Sequence, residues 1–402
     1  MNNEAEVAPR PSVGEVFRVF LKLGLTSFGG PVAHLGYFRT EFVERRAWMD
    51  DREYADLVAL SQFLPGPASS QVGFGIGLVR AGGWGAIAAF VAFTLPSAVL
   101  MIAFAYGATL VSGPIGEGVV SGLKIVAVAI VAQAVWGMAR TLTPDARRAG
   151  IAALALVCAA MVAGSGGQIL AITIGVIGGL VLCRAPTGPQ SEMIRFPVSR
   201  TAGYVSLTVL VVLLLGGPLI VLVTGNGPLA LFDIFARAGA LVFGGGHVVL
   251  PLLQAGLVDP GWVSEAEFLS GYGVAQAMPG PLFSIAGYLG AIADIGPGGL
   301  WGAMIALVGI FLPGFLLLIG VLPFWNTLCR RAAAQAAMRG ANAAVVGILA
   351  AALYSPVFTT AVTGVAAFCL AAVCFVFLTA FRLPPWLVVI AGSVGGVLIG
   401  LL

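Results

Sequence analysis

The feature that most constrains this chain is a second copy of its own pattern. "VFLKLGLTSFGG" (Val19 to Gly30) lies over "IFARAGALVFGG" (Ile234 to Gly245) when the sequence is slid against itself. Trp48 then falls on Trp262, Glu53 on Glu267, Tyr54 on Phe268 and Gln62 on Gln276. Pro65-Gly66-Pro67 meets Pro279-Gly280-Pro281, and further on Trp84 meets Trp301, Leu95-Pro96 meets Leu312-Pro313, and Gly122 meets Gly340. One shared tripeptide arises by chance, but an ordered series with short insertions does not. The chain therefore divides into a first repeat (1–183), a polar linker (184–202), an extra apolar segment (203–225) and a second repeat (226–402).

Both repeats are built for lipid. The 402 residues are 59% hydrophobic and 9% charged, with a mean hydropathy of +1.03, against a soluble norm of about a quarter charged. Runs such as Gly85 to Leu110 and Gly364 to Phe381 are long enough to cross a hydrocarbon core as helices. The expected class is an all-α polytopic membrane protein, with the lipid bilayer as partner and no nucleic acid. The opening residues carry acids and lack a small-residue cleavage site, so no cleaved signal peptide is expected. The five cysteines lie in or beside apolar segments without metal-type spacing and read as small packing residues.

The loops assign an orientation to each repeat. Arg39, Arg45, Arg46 and Arg52 crowd one loop, while its counterpart "VDPGWVSEAE" has no base. Arg140, Arg147 and Arg148 likewise oppose the uncharged "SPVFTTAVTG". The sign reverses in a third pair, where "SGPIGEG" lacks a base and "NTLCRRAAAQAAMRG" carries Arg330, Arg331 and Arg339. Because Lys and Arg favour the cytoplasmic side, the repeats are expected to have inverted topology. Crossings are expected near 84–111, 118–139, 149–164 and 166–183, and near 299–323, 336–353, 358–381 and 385–402. The segments 13–47, 53–79, 229–257 and 265–293 are expected to be broken or re-entrant helical hairpins.

Each hairpin carries a break: Phe28-Gly29-Gly30, Pro65-Gly66-Pro67, Phe243-Gly244-Gly245-Gly246 and Pro279-Gly280-Pro281. A helix broken in lipid exposes backbone amides that protein, water or substrate must satisfy. A half-helix starting at depth offers free N–H groups and the positive end of its dipole, which suits anions. Ser69, Ser70 and Gln71 follow the first Pro-Gly-Pro, and Ser284 follows the second. These are donors without a carboxylate to repel an oxyanion. Paired breaks in inverted repeats are the mark of a transport pathway.

Further candidates flank the breaks. Lys22 and Arg237 occupy matched positions before each Phe-Gly-Gly; an intramembrane cation marks function or snorkels to the interface. Lys124 is a weaker candidate, its repeat partner being Asn342. His34 and His247, the only histidines, each follow a glycine break, and either titrate in the transport cycle or bond a hairpin carbonyl. Glu53 and Glu267 are favoured as helix caps. The Arg39–Arg52 cluster is mainly a topology signal and also suits anion gathering at a mouth.

At these residues the sequence resembles the chromate ion transporter family in its long two-domain form. The resemblance rests on "FGGPVAH" from Phe28, "QFLPGP" from Gln62, "FGGGHVVL" from Phe243 and "QAMPGP" from Gln276, and extends over nearly the whole chain. It implies a bacterial inner-membrane protein that exports chromate, confers chromate resistance and is inhibited by sulfate. No cofactor or metal is expected, because no metal-ligand cluster stands out in the sequence. The substrate-binding set expected is Lys22, Phe28, Gly29, Gly30, His34, Gln62, Pro65, Gly66, Pro67, Ser69, Ser70 and Gln71, with Arg237, Phe243, Gly244, Gly245, Gly246, His247, Gln276, Pro279, Gly280, Pro281 and Ser284. A carrier of sulfate or another tetrahedral oxyanion and an anion channel are the alternatives. An enzyme is not expected, because no nucleophile–base motif is present. A homodimer is left open.

Overall fold

The computed structural model describes residues 12–107, 113–162, 164–184, 196, 198–243, 246–329 and 331–401. The first repeat forms α1 (Val13–Thr26), α2 (Gly30–Arg39), a π-turn (Thr40–Arg45), α3 (Asp51–Phe63), α4 (Ala68–Gly107), α5 (Pro114–Leu142), α6 (Ala146–Met161) and α7 (Gly164–Leu182). The extra segment is α8 (Arg200–Thr224). The second repeat forms α9 (Gly227–Ala240), α10 (Val249–Leu257), α11 (Glu265–Ala277), α12 (Ile285–Ile292), α13 (Gly299–Val321), α14 (Trp325–Cys329), α15 (Ala332–Ala352), α16 (Thr359–Ala361), α17 (Val365–Thr379) and α18 (Pro385–Leu401).

Local sequence sets the ends of these helices. Asp50 and Glu53 form a reciprocal capping box at the start of α3, and Ser264 and Glu267 form its counterpart on α11. Matched acids thus satisfy matched amides, as expected of a cap. Helix α4 is two helices joined end to end: Ala81 and Gly82 leave helical geometry, with Gly82 at φ +66°. An open loop between α12 and α13 takes that place in the second repeat. The expected single crossing over 358–381 is interrupted, because Pro356 forces a π-turn at Leu353–Phe358 before α16 and α17.

Among the described residues, five helices are long and apolar enough to cross a membrane, including 68–107, 200–224 and 299–324. Only 6% of the most apolar window of α8 is buried within the protein, so this helix stands at the periphery with its apolar surface outward. The largest buried apolar cluster draws on both repeats, and a second lies within residues 16–93 of the first.

The packing is reciprocal. Helix α1 packs on α4 as α9 packs on α13, α5 packs on α18 as α15 packs on α7, and α5 packs on α17 as α15 packs on α6. The closest approaches match residue for residue. A Cβ at Gly122 would overlap the Gly392 carbonyl, and one at the matched Gly340 would overlap the Gly175 carbonyl. Small residues let helices approach to backbone contact. Along α5 and α18, Gly118 meets Val397 while Gly122 meets Gly392; along α7 and α15, Gly175 meets Gly340 while Gly179 meets Ala336. Both pairs run antiparallel. Reciprocal contacts of this kind are what a two-fold relation between like units generates.

Candidate functional site

The two repeats are also bonded to each other at their breaks. The Gly66 amide donates to the Val242 carbonyl at 2.7 Å, and the Gly280 amide donates to the Ser27 carbonyl at 2.9 Å. Ser27 immediately precedes Phe28-Gly29-Gly30, and Val242 immediately precedes the second Phe-Gly-Gly. Each Pro-Gly-Pro of one repeat is therefore bonded to the glycine break of the other. Loop amides buried in an apolar protein need partners, and each break finds one in the opposite half.

The two Pro-Gly-Pro glycines have no room for a side chain. Gly66 sits at φ +126° and a Cβ there would lie 2.8 Å from Gln71 Nε2 and 3.2 Å from Gly314 Cα. Gly280 sits at φ +98°, and its Cβ would lie 2.9 Å from Ser97 Oγ and 3.2 Å from the Phe93 carbonyl oxygen. Ser97 and Gly314 occupy matched positions, one residue past the matched Pro96 and Pro313 inside α4 and α13. The breaks and the proline-bearing helices thus form one interlocked junction.

The sequence-derived set divides cleanly. Gly66, Pro67, Ser69, Ser70 and Gln71 are buried here with Pro279, Gly280, Pro281, Ser284 and Gly246, and His34 is buried beside them. Phe28, Gly30, Pro65, Phe243, His247 and Gln276 are half-buried, whereas Gly29 and Gln62 are exposed. Gly244 and Gly245 lie outside the described residues. Lys22 is on the exposed face of α1. Arg237, 44% exposed, pairs with the buried Asp233 carboxylate on the same helix at 2.5 Å. The structure does not bring Lys22 or Arg237 into the junction.

Chemically the junction is lopsided. His34 Nδ1 lies 3.4 Å from Ser69 Oγ, and its ring stands edge-on to Phe93 with centroids 5.3 Å apart. His34 also lies beside the Ser27 backbone. Gln71 spans the repeats, its Nε2 donating to the carbonyls of Pro65 at 3.1 Å and Gly314 at 3.0 Å. Yet Ser27 Oγ, Ser61 Oγ, Ser70 Oγ, Thr94 Oγ1, Gln71 Oε1 and His34 Nε2 are buried without a partner among the described residues. Such groups are expensive, about 1–3 kcal/mol each, and all of these belong to the first repeat.

The second-repeat side is closed. Ser284 Oγ donates to the Pro281 carbonyl at 2.8 Å, and His247 Nδ1 shares a 2.7 Å hydrogen bond with Tyr272 Oη. Gln276 Nε2 is the unpartnered atom on this side among the described break residues.

A model of the chromate transporter family matches residues 14–183 and again 229–397. The chain belongs to the chromate transporter family. It is 29% identical over 357 residues to a probable chromate transport protein of Synechococcus elongatus, covering 86% of this chain and 85% of that one. It is 28% identical over 349 residues to a chromate transport protein of Cupriavidus metallidurans, covering 85% and 82%. A chromate transport protein of Pseudomonas aeruginosa is 28% identical over 353 residues, covering 86% and 81%. No solved structure matches the chain at a significant level.

Sequence reasoning missed Ser27, Thr94 and Ser97 as members of this junction. The signal that finds them is the repeat alignment, read for differences instead of identities. Ser27 falls on Val242, Ser61 on Ala275, Ser69 on Phe283, Gln71 on Ile285 and Thr94 on Phe311. At these positions the first repeat is polar where the second is apolar, whereas Ser70 and Ser284, like Gln62 and Gln276, are shared.

Proposed function

We propose that the protein is a secondary carrier that exports chromate across a bacterial inner membrane and so confers chromate resistance. In this reading it uses a single anion site where the four breaks meet. The observation that carries it is the pair of reciprocal bonds, Gly66 to Val242 and Gly280 to Ser27, beside unpartnered first-repeat hydroxyls. Ser27, Ser69, Ser70 and Thr94 supply the donors, with His34 and the first amides of α4, which intrahelical bonding leaves free. The second-repeat break forms the apolar opposite wall. Hydrogen bonds from neutral groups to a dianion are charge-assisted and strong in a dry site. They also leave no carboxylate to repel the substrate.

The repeats are assigned as an inverted pair, with the linker 184–202 cytoplasmic and α8 providing the extra crossing. Two observations support this. The first and third crossings of an up-down-up unit run the same way, yet α18, the copy of α7, runs antiparallel to α5. The loop bearing Arg45 is basic, and the matched loop bearing Ser264 has no base. Rocking of one inverted repeat against the other exposes a central site to each side in turn. Sulfate, with the same charge and tetrahedral shape, is the expected competitor.

The test is flux of chromate in proteoliposomes with pH and voltage set independently. Saturable uptake that labelled chromate exchanges and sulfate inhibits supports the carrier. Large unsaturable currents make the junction a channel filter instead, and no chromate movement removes the proposal.

A further inference from the structure

A second basic site lies away from the breaks, where α6 begins and α7 ends. A cavity of about 660 Å³ is lined there by Arg147 and Arg148 of the first repeat, Arg184 at the start of the linker and Arg339 of the second repeat, with Asp145 the one acid among its described lining residues. Its volume falls in the range of small-ligand sites. Four guanidiniums against one carboxylate leave a strong positive surplus in a cavity between helices.

The guanidiniums are held in place. Arg147 donates to the Leu182 carbonyl at 3.0 Å, Arg184 Nε to the Leu180 carbonyl at 2.7 Å, and Arg339 to the Cys183 carbonyl at 3.0 Å. These are the last carbonyls of α7, which attract cations. Arg148 Nε pairs with Asp145 at 2.6 Å, and Asp145 also caps α6 through the Arg148 amide. Each guanidinium has five N–H donors, and these contacts engage one or two of them. Among the described residues, these contacts leave most of the donors unspent.

The surface beside the cavity is apolar. Leu170, Ile177 and Val181 are exposed along α7 and share one helical face, with Val181 at 70% exposure. That face leads straight to Leu182 and Arg184 at the cavity. A soluble anion has no use for it, whereas an acyl chain does. Basic pockets at the ends of membrane helices suit phosphate-bearing headgroups, and a planar fork suits phosphate oxygens.

We propose that this cavity binds the headgroup of an anionic phospholipid, whose chains lie along the exposed face of α7. Because Arg339 of the second repeat joins Arg147 and Arg148 of the first, the bound lipid bridges the two repeats and braces α7 against α15. The site is independent of the chromate junction, and its test does not use transport.

The experiment measures thermal unfolding of the purified full-length chain in neutral detergent. Short-chain phosphatidylglycerol, short-chain phosphatidylcholine and inorganic phosphate are added separately. Phosphatidylglycerol should raise the midpoint by several degrees, with neither phosphatidylcholine nor phosphate matching it. In the double variant Arg147→Gln/Arg184→Gln the half-saturating phosphatidylglycerol concentration should rise at least tenfold. An equal shift from phosphatidylcholine, or a full shift from phosphate alone, overturns the lipid assignment. So does a double variant that binds unchanged. Should that variant fail to fold, native mass spectrometry of the wild-type chain decides. Retention of phosphatidylglycerol over phosphatidylcholine from an equal mixture supports the site, and equal retention refutes it.

Discussion

Replacing Ser70 by alanine should strengthen the empty protein and weaken its hold on substrate. The Ser70 hydroxyl is buried and unpartnered, so removing it relieves a desolvation cost of about 1–3 kcal/mol. The anion-free melting temperature should hold or rise. In the proposed site the same hydroxyl would donate to the oxyanion, a contact worth about 1.5–3 kcal/mol, and at about 1.4 kcal/mol per decade chromate affinity should fall about ten- to hundredfold. Ser284→Ala at the matched position should do the reverse. Its hydroxyl is spent on the Pro281 carbonyl at 2.8 Å, so its loss should cost about 0.5–1.5 kcal/mol of stability. Affinity should stay within about twofold, since no anion contact is lost. Titration calorimetry in nanodiscs, paired with thermal unfolding with and without chromate, measures both quantities. Equal loss of affinity in both variants, or a Ser70→Ala protein that is less stable and binds normally, would refute the asymmetric lining.

Three further outcomes are expected. Gly66→Ala and Gly280→Ala each place a Cβ under 3 Å from a neighbour in addition to the strain of a positive φ, about 1–3 kcal/mol; both should abolish chromate flux, whereas Gly30→Ala, also strained at φ +80° but with open space at its Cβ, should retain part of it. Burial raises the Glu41 carboxyl, but bonds and charge from Arg46 and Arg45 outweigh it and hold the group below its usual range. Its stabilising contribution is then complete above the unfolded value and lost as pH falls through the folded one, so the gap in melting temperature between wild type and Glu41→Gln should be widest at neutral pH and close in acid. Impermeant thiol labelling in intact cells should modify Ser264→Cys and spare Arg45→Cys; equal labelling would contradict the inverted repeats.

The sequence carried the scaffold well because a repeat is visible as identity. Pro-Gly-Pro, Phe-Gly-Gly and the matched tryptophans recur in register, and the helix caps at Glu53 and Glu267 follow from local spacing. The sequence suggested that breaks of the two repeats meet, but not that each Pro-Gly-Pro bonds to the other repeat's Phe-Gly-Gly, since a Gly66 amide bonded to the Val242 carbonyl leaves no trace in side-chain identity. Lys22 and Arg237 stood out because charge in an apolar helix is rare. Exposure of the first and the Asp233 partner of the second depend on which helix face packs inward. Thr94 and Ser27 escaped notice for the opposite reason, as hydroxyls are common in membrane helices and gain meaning only when burial leaves them unpartnered.

The most direct test of a single, one-sided site is to locate the metal in chromate itself. Crystals of the full chain soaked in chromate and measured at the chromium absorption edge should show one strong anomalous peak per molecule. That peak should lie among the hydroxyls of Ser27, Ser69, Ser70 and Thr94, facing Gly280. Two peaks related by the repeat, with the second against Ser284, would contradict the account, as would a single peak remote from the breaks.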